Sequence, residues 1–197
     1  MQKKTIAIIS TTLIAIITAI IACSSLSLNH VKNQIDRKEL EEKQKQSLTA
    51  FFERTGGKYW INSTGWYSKP GERQIDYCKW FGISCGAVYG QVLKIDLSRN
   101  NLTANDFDLL TLSPLESLMV LHLDANNLHG DISHIIQSAH EVPNMHVLTM
   151  MFNPGVFGKV PIEVCYQNSP SDNFTLRVDC DVMCKCCAHE KLCIGMK

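Results

Sequence analysis

The chain repeats one pattern of apolar residues and asparagine three times at nearly constant spacing. Aligned on L-x-x-L-x-L-x-x-N, the three units are Val92–Asn100, Leu118–Asn126 and Met145–Asn153. Their asparagines are 26 and 27 residues apart. A period of this length is typical of units that cannot bury their apolar side alone and must stack on neighbours. We therefore expect consecutive units to lie side by side as short parallel strands over one continuous core.

The alternation of side chains along a strand predicts which residues of each unit point inward. A weaker fourth strand over 174–181 extends the series. The predicted inward residues are Ile95, Leu97, Leu121, Leu123, Leu148, Met150, Leu176 and Val178. We expect Asn100, Asn126 and Asn153 to be structural. Each should be buried where the chain leaves its strand and bonded to loop backbone, because an unpaired buried amide is costly.

The spacing and composition of these units are those of leucine-rich repeats. The residues that follow Asn126 and Asn153 carry the L-x-G-x-I-P character of the plant type. The expected fold is α/β, a short right-handed solenoid with a parallel sheet on its concave face and repeats over 92–164. The segments 107–118 and 134–142 are amphipathic and predict helical turns on the convex side.

The segment 47–91 resembles the plant-type N-terminal cap of extracellular leucine-rich-repeat proteins, particularly the protist form. A helix-forming stretch at 48–52 precedes T-G-G at 55–57, N-S-T-G-W at 62–66 and C-K-W-F-G-I-S-C at 78–85. The resemblance implies a Cys78–Cys85 disulfide. It also implies that Trp60, Trp66 and Trp80 pack over the first strand, the alternative being an exposed tryptophan binding site.

The segment 165–197 resembles the cysteine-rich C-terminal cap of diatom leucine-rich-repeat proteins, because D-C at 179–180 is followed by C-K-C-C at 184–187. It departs from that pattern at its end, where a single Cys193 replaces the final cysteine doublet. The pairing within the cluster is therefore left open. The resemblance names no ligand.

The first 28 residues form a predicted export segment. Lys3 and Lys4 precede an uncharged run from Thr5 to Leu28, which is the pattern of a secretory signal. Three interpretations stay open: cleavage near Ala22–Ser24, an uncleaved anchor in the membrane, or lipidation at Cys23. Residues 29–46 are rich in charge and glutamine and predict a solvated stalk or linker. The body of the chain is expected outside the cytosol, secreted or anchored at the cell surface.

Export gives the cysteines a structural interpretation. The chain has 9 cysteines, and an oxidising compartment favours disulfides for those outside the leader. These are Cys78, Cys85, Cys165, Cys180, Cys184, Cys186, Cys187 and Cys193. The last four, with His189 nearby, are the one place where the sequence offers metal ligands. Disulfides are preferred there, so no metal or cofactor is expected. Sequons at Asn62, Asn101 and Asn173 predict glycosylation in a eukaryotic host.

Charge and motifs exclude several function classes. The chain has 19 basic and 19 acidic residues, and this balance disfavours nucleic-acid binding, which needs a basic patch. No nucleophile elbow, zinc-protease helix or phosphate-binding loop is present in the sequence. We therefore expect a protein that is not an enzyme.

The outward residues of the strands are the predicted ligand-binding surface. Stacking should align them in rows about 4.8 Å apart across the sheet. The predicted contact residues are Lys94, Asp96, Ser98, His122, Asp124, Thr149, Met151, Arg177 and Asp179, centred on Asp96, His122, Asp124 and Arg177. Their mixed character favours a protein or glycan partner. The alternatives are a structural cell-surface or wall glycoprotein, a secreted enzyme inhibitor, and a metal- or redox-active tail.

Overall fold

The computed structural model describes residues 2–68, 75–87, 90–161, 174–179 and 182–183, with side chains from residue 28 onward. The chain divides into two compact units, Met1–Glu41 and Glu42–Lys197. The expected export segment, 1–28, lies almost wholly outside the described side chains. Six of the predicted disulfide cysteines and Asn173 also lie outside the described residues, namely Cys165, Cys180, Cys184, Cys186, Cys187, Cys193 and Asn173.

Helix α1 runs from Gln2 to Arg54. In the first unit, the described side chains from Leu28 to Glu39 are exposed, and Arg37 pairs with Glu41 at 3.4 Å. This part of the helix is therefore solvated, and its role as a stalk stays a prediction. Within the described part of the chain, no helix combines the length and apolar character needed to cross a membrane.

The second unit begins inside the predicted linker 29–46, because the last turns of α1 pack into the N-terminal cap. The Gln44 amide donates to the Tyr77 hydroxyl at 3.0 Å and accepts from the backbone N–H of Val92 at 2.8 Å. The Ser47 hydroxyl donates to the carbonyl of Thr111 at 2.5 Å. Gln44, which lies within the charged run of the sequence, is thus a buried part of the cap.

The main sheet joins the repeat strands in chain order. It contains β1 (Ile83–Cys85), β2 (Val92–Asp96), β4 (Val120–His122), β6 (Val147–Thr149) and β8 (Thr175–Arg177), in that spatial order. β2, β4, β6 and β8 are parallel, whereas β1 is antiparallel to β2. A mixed α/β fold with parallel pairing of the repeat strands is confirmed. Its winding into a solenoid with a concave face stays a prediction.

A second sheet, which the sequence reasoning missed, forms from the segments that follow each repeat asparagine. It contains β3 (Thr103–Ala104), β5 (Asn127–Asp131) and β7 (Gly155–Phe157), all parallel and again in chain order. These strands are short and lack an extended alternation of apolar residues, so their pattern predicts turns. Helix α2 (Ile132–Ala139) follows β5, and short 3₁₀ turns lie at Gly57–Tyr59, Tyr77–Lys79 and Leu110–Leu112.

The core lies beneath the main sheet. The predicted inward residues Ile95, Leu97, Leu121, Leu123 and Leu148 are all 0 % exposed. The remaining three, Met150, Leu176 and Val178, are 1 %, 6 % and 1 % exposed. Leu128 and Val156 of the second sheet and three isoleucines of α2 belong to the same cluster. At about 1.5–3 kcal/mol for each fully buried aliphatic side chain, this stack is the main favourable term in folding.

The three repeat asparagines form a ladder of buried amides that joins each unit to the one before it. The side-chain carbonyl of Asn126 accepts from the backbone N–H groups of Asn100 and Leu102. Its side-chain NH2 group donates to the backbone carbonyl of Leu97 at 2.9 Å. Asn153 repeats the arrangement one unit later, donating to Leu123 at 3.0 Å.

Asn100 closes the ladder on the cap. Its side-chain carbonyl accepts from the N–H of Asn62 at 2.7 Å, and its amide donates to the Asn62 carbonyl at 2.9 Å. The ladder therefore runs without interruption from the cap through three units.

The turn that presents each ladder asparagine uses a left-handed residue. Arg99, Ala125 and Phe152 have φ of 57°, 55° and 60°. Residues other than glycine adopt this left-handed backbone conformation at a cost of about 1–2 kcal/mol. The same costly turn recurs in all three units, so the hydrogen bonds of the following asparagine hold it.

The segment that the sequence predicts to be the N-terminal cap contains an aromatic cluster and a disulfide. Trp60, Trp66 and Trp80 are 7 %, 2 % and 2 % exposed, with ring centroids 4.9 Å apart for the first pair and 5.1 Å for the second. Each indole N–H donates to a backbone carbonyl. The Cys78–Cys85 disulfide implied by the family resemblance is present. All three tryptophans are buried, so they do not form an exposed binding site.

We expect Asn126→Ala to lower the free energy of unfolding by roughly 2–5 kcal/mol, because it leaves several buried backbone groups unpaired. The matched control is Asn127→Ala, whose side chain is exposed and should cost no more than about 0.5 kcal/mol. Urea unfolding of the two variants measures the difference. Equal losses would contradict a structural role for the ladder.

Helix α2 is capped by Asp131, whose carboxylate accepts from the N–H of Ser133 at 2.7 Å and from its hydroxyl at 2.6 Å. These hydrogen bonds hold the pKa of Asp131 below its ordinary value of 3.8. A lowered pKa in the folded state means that the stabilisation is complete above the unfolded pKa and is lost as the pH falls through the folded one.

We expect Asp131→Ala to cost about 1 kcal/mol near neutral pH. Asp131→Asn should keep most of the stabilisation of α2, because asparagine is also a good N-cap residue. The stability of this variant should no longer fall through protonation of residue 131 at low pH. Thermal unfolding of wild type and both variants between neutral pH and about pH 3 separates the two effects. An alanine variant as stable as the asparagine variant would contradict the capping role.

Candidate functional site

The outward residues of the main sheet align in three rows. We call this surface the exposed face, and its rows are Lys94, Val120, Val147 and Thr175; Asp96, His122, Thr149 and Arg177; and Ser98, Asp124, Met151 and Asp179. The strand register pairs the first two rows residue by residue. The structure thus brings together side chains that lie 26–28 residues apart in the chain, as the repeat period predicts.

Several of the predicted contact residues are used to hold the fold. The Asp179 carboxylate accepts from the N–H of Phe152 at 2.7 Å and of Asn153 at 3.0 Å. The Asp124 carboxylate accepts from the N–H of Met151 at 2.8 Å. Thr149 is 4 % exposed. These three side chains offer a ligand little accessible polar surface, and they fix the backbone beneath it.

A hydrogen-bonded chain crosses the exposed face at its centre. The Thr149 hydroxyl donates to the Asp124 carboxylate at 2.6 Å, and its oxygen lies 2.9 Å from Nδ1 of His122. His122 itself is half-buried. The imidazole is therefore held on the sheet by the neighbouring strand.

Asp96 lies beside His122 in the same row, on the adjacent strand. Its side chain is 43 % exposed and pairs with Lys94 at 3.2 Å, while the Ser98 hydroxyl donates to it at 3.0 Å. Burial alone raises the pKa of Asp96, but the hydrogen bonds from Ser98 and Lys94 outweigh it and the pKa is lowered. The side chain is thus a carboxylate at neutral pH and within reach of solvent.

Arg177 is exposed at the far end of this row, and Thr149 separates it from His122. Lys94, Asp96, His122 and Arg177 therefore keep their functional groups near solvent. Together they present both charge signs and one oriented imidazole. Such a surface can form hydrogen bonds and ion pairs with a partner.

The predicted modification and metal sites are only partly described. Among the described residues, no group of three or more histidine, cysteine or acidic side chains is placed to hold a metal ion. Asn101 is exposed and Asn62 is half-buried. The Asn62 side chain accepts from the N–H of Thr64 at 3.0 Å, and Asn101 donates to the carbonyl of Tyr59 at 2.9 Å.

A cleft of about 740 Å³ beside α2 is a concave surface that the sequence reasoning missed. Four carboxylates line it, those of Asp106, Asp108, Asp131 and Glu141, against the single guanidinium of Arg54. That guanidinium forms an ion pair with Asp108. The exposed residues Leu110 and Phe157 add apolar surface. Its lining comes from α1, the segment before Leu110, α2 and β7, which only the folded chain brings together.

We expect the residues of the exposed face to differ sharply in their effect on stability. Asp179→Ala should lower the free energy of unfolding by roughly 1–3 kcal/mol, because two backbone N–H groups lose their acceptor. Asp96→Ala, the matched control, should change it by no more than about 0.5 kcal/mol, since the Lys94–Asp96 pair is half exposed and screened by water. Chemical unfolding measures both. A larger loss for Asp96→Ala than for Asp179→Ala would contradict this division.

Comparisons with known proteins give structural likenesses only. No protein-family model matches the chain, and no curated protein matches it. The chain is similar to the solved structure of PEPR1–AtPEP1, with 20 % identity and a TM-score of 0.47. The match covers 72 % of this chain and 18 % of the PEPR1–AtPEP1 chain. The BIR3–SERK2 complex from Arabidopsis thaliana is 18 % identical, with a TM-score of 0.49, and covers 68 % of this chain and 69 % of its own.

A plant ice-binding protein is 14 % identical, with a TM-score of 0.35, and covers 73 % of this chain and 57 % of its own. The chain thus spans less than a fifth of the first of these structures. With identities no higher than 20 % and TM-scores no higher than 0.49, the likenesses identify neither a family nor a ligand for this chain.

Proposed function

We propose that this chain is an exported leucine-rich-repeat protein that recognises a protein or glycan partner through the exposed face and catalyses no reaction. In this proposal residues 1–28 export or anchor the chain, 29–46 space it from the membrane, and 47–91 and 165–197 cap the repeats over 92–164. The observation that carries the proposal is the in-register alignment of outward polar residues from successive repeat strands.

Rigidity of the underlying frame supports a recognition role. The strand backbones below the exposed face are held by the buried amides of Asn126 and Asn153 and by the carboxylates of Asp124 and Asp179. A preformed surface loses little conformational entropy when a partner binds, so more of the contact energy contributes to affinity.

The chemistry of the exposed face supports a protein or glycan partner. Lys94 and Arg177 are balanced by Asp96, Asp124 and Asp179, so the surface lacks the excess of positive charge that phosphate backbones require. Small apolar side chains, Val120 and Val147, lie in the first row between these charged groups and are half-buried. Mixed polar and apolar surfaces of this kind are typical of transient protein interfaces.

Export is supported by the Cys78–Cys85 disulfide, because disulfides persist in oxidising compartments and are rare in the cytosol. The exposed sequon at Asn101 favours one alternative, a structural cell-surface glycoprotein without a specific ligand. Mapping of the glycans on the secreted chain tests whether Asn101 is modified.

The test of the recognition role is selection of binders on the purified full chain from a random-peptide library and a glycan array. Binders of the exposed face should lose affinity about 10-fold or more with the double variant Lys94→Ala/Arg177→Ala, which corresponds to at least about 1.4 kcal/mol. Titration by calorimetry or surface plasmon resonance measures the change.

The matched control is Lys58→Ala/Lys159→Ala, which removes two other exposed lysines and the same amount of charge. It should leave affinity unchanged. Equal loss in both double variants would place binding elsewhere or make it non-specific. Failure of both libraries to yield any specific binder would favour the structural glycoprotein.

A further inference from the structure

The chain from His122 through Thr149 to Asp124 determines which nitrogen of the imidazole carries a proton. The Thr149 hydroxyl has one hydrogen, and it donates that hydrogen to the Asp124 carboxylate at 2.6 Å. Its oxygen is then only an acceptor toward Nδ1 of His122, 2.9 Å away. Nδ1 must therefore be the donor, and the neutral ring has its lone pair on Nε2.

The chain also fixes the orientation of the ring. Asp124 is held in turn by the N–H of Met151 at 2.8 Å, and Thr149 is 4 % exposed, so neither partner is free to reorient. Thr149 and Asp124 are positioning residues in this arrangement. Among the described residues, no hydrogen-bond partner of Nε2 is found.

We infer, on the basis of the recognition role proposed above, that the exposed face receives a basic side chain of a protein partner, bound jointly by Nε2 of His122 and the carboxylate of Asp96. Neutral Nε2 is an acceptor, so the partner must supply a donor there. Asp96 lies on the adjacent strand in the same row, and neighbouring strands of a sheet are about 4.8 Å apart. Two neighbouring acceptors suit the several N–H groups of a guanidinium better than a single amide.

Surrounding charges are compatible with such a group. Lys94 already pairs with Asp96 at 3.2 Å, but this pair is half exposed and contributes little, so its geometry can change when a second cation arrives. Arg177 stands two strands from His122, about 10 Å away, which is beyond the screening length of about 8 Å at physiological salt. Asp124, two residues after His122 in the chain, adds negative charge.

The first test is nitrogen NMR of the histidines in the full chain near neutral pH. His122 should show a proton on Nδ1 and none on Nε2. Thr149→Ser keeps the hydroxyl and should keep this tautomer, whereas Thr149→Val removes it and should let both tautomers appear. His134, exposed on α2, serves as the internal control and should be unaffected. A proton on Nε2 of His122 in the wild type would overturn the inference.

The second test titrates the same sample with N-acetyl-arginine amide and, separately, with N-acetyl-glutamate amide. The arginine probe should shift the His122 and Asp96 signals, and the glutamate probe should not. Binding should be about 3–10-fold weaker in His122→Ala and in Asp96→Asn, whereas His134→Ala should bind as the wild type does.

Equal shifts with both probes, or preference for the glutamate probe, would overturn the inference. These outcomes are distinguishable from failure of the recognition role itself. If library binders still depend on Lys94 and Arg177 while the arginine probe leaves His122 unshifted, the inference falls and the recognition role stands. If no binder of any class engages the exposed face, the recognition role falls.

Discussion

The hydrogen bonds of the three repeat asparagines are the interaction on which the rest of this structure depends. Leucine side chains supply most of the favourable free energy of the core, and their alternation opposes a slip of one residue between strands, but a slip of two residues would keep the same side chains inward. The amides of Asn126 and Asn153 specify it, because each must reach particular backbone groups in the preceding unit. The alignment of outward side chains into rows follows from this register.

The outward residues consequently divide into two groups with different roles. Asp124, Thr149 and Asp179 bond to backbone or to each other and belong to the frame. Lys94, Asp96 and Arg177 keep their charged groups near solvent. His122 belongs to both groups, because one ring nitrogen bonds to the frame and the other does not. The orientation of a group that can contact a ligand, the His122 ring, is therefore set by the residues of the frame that hold it.

The sequence predicts the parts of this fold that depend on one unit at a time. The inward leucines and the row assignments follow from the period and the alternation within each strand, and the Cys78–Cys85 disulfide followed from the resemblance of the cap. Features that join separate units could not be predicted. The second sheet, the antiparallel strand β1, the packing of Gln44 into the cap and the burial of Thr149 all depend on neighbours that only stacking brings together.

The asparagine ladder also has a direction along the chain. Asn100 bonds to Asn62, Asn126 to the unit containing Leu97, and Asn153 to the unit containing Leu123. Each amide therefore finds its partners in chain that was synthesised earlier. During synthesis, where N-terminal segments fold first, the side-chain amides of each new unit reach backbone that is already present. The asparagine bonds therefore favour assembly in the order of translation, and a defect near Asn62 would affect the first of them, at Asn100.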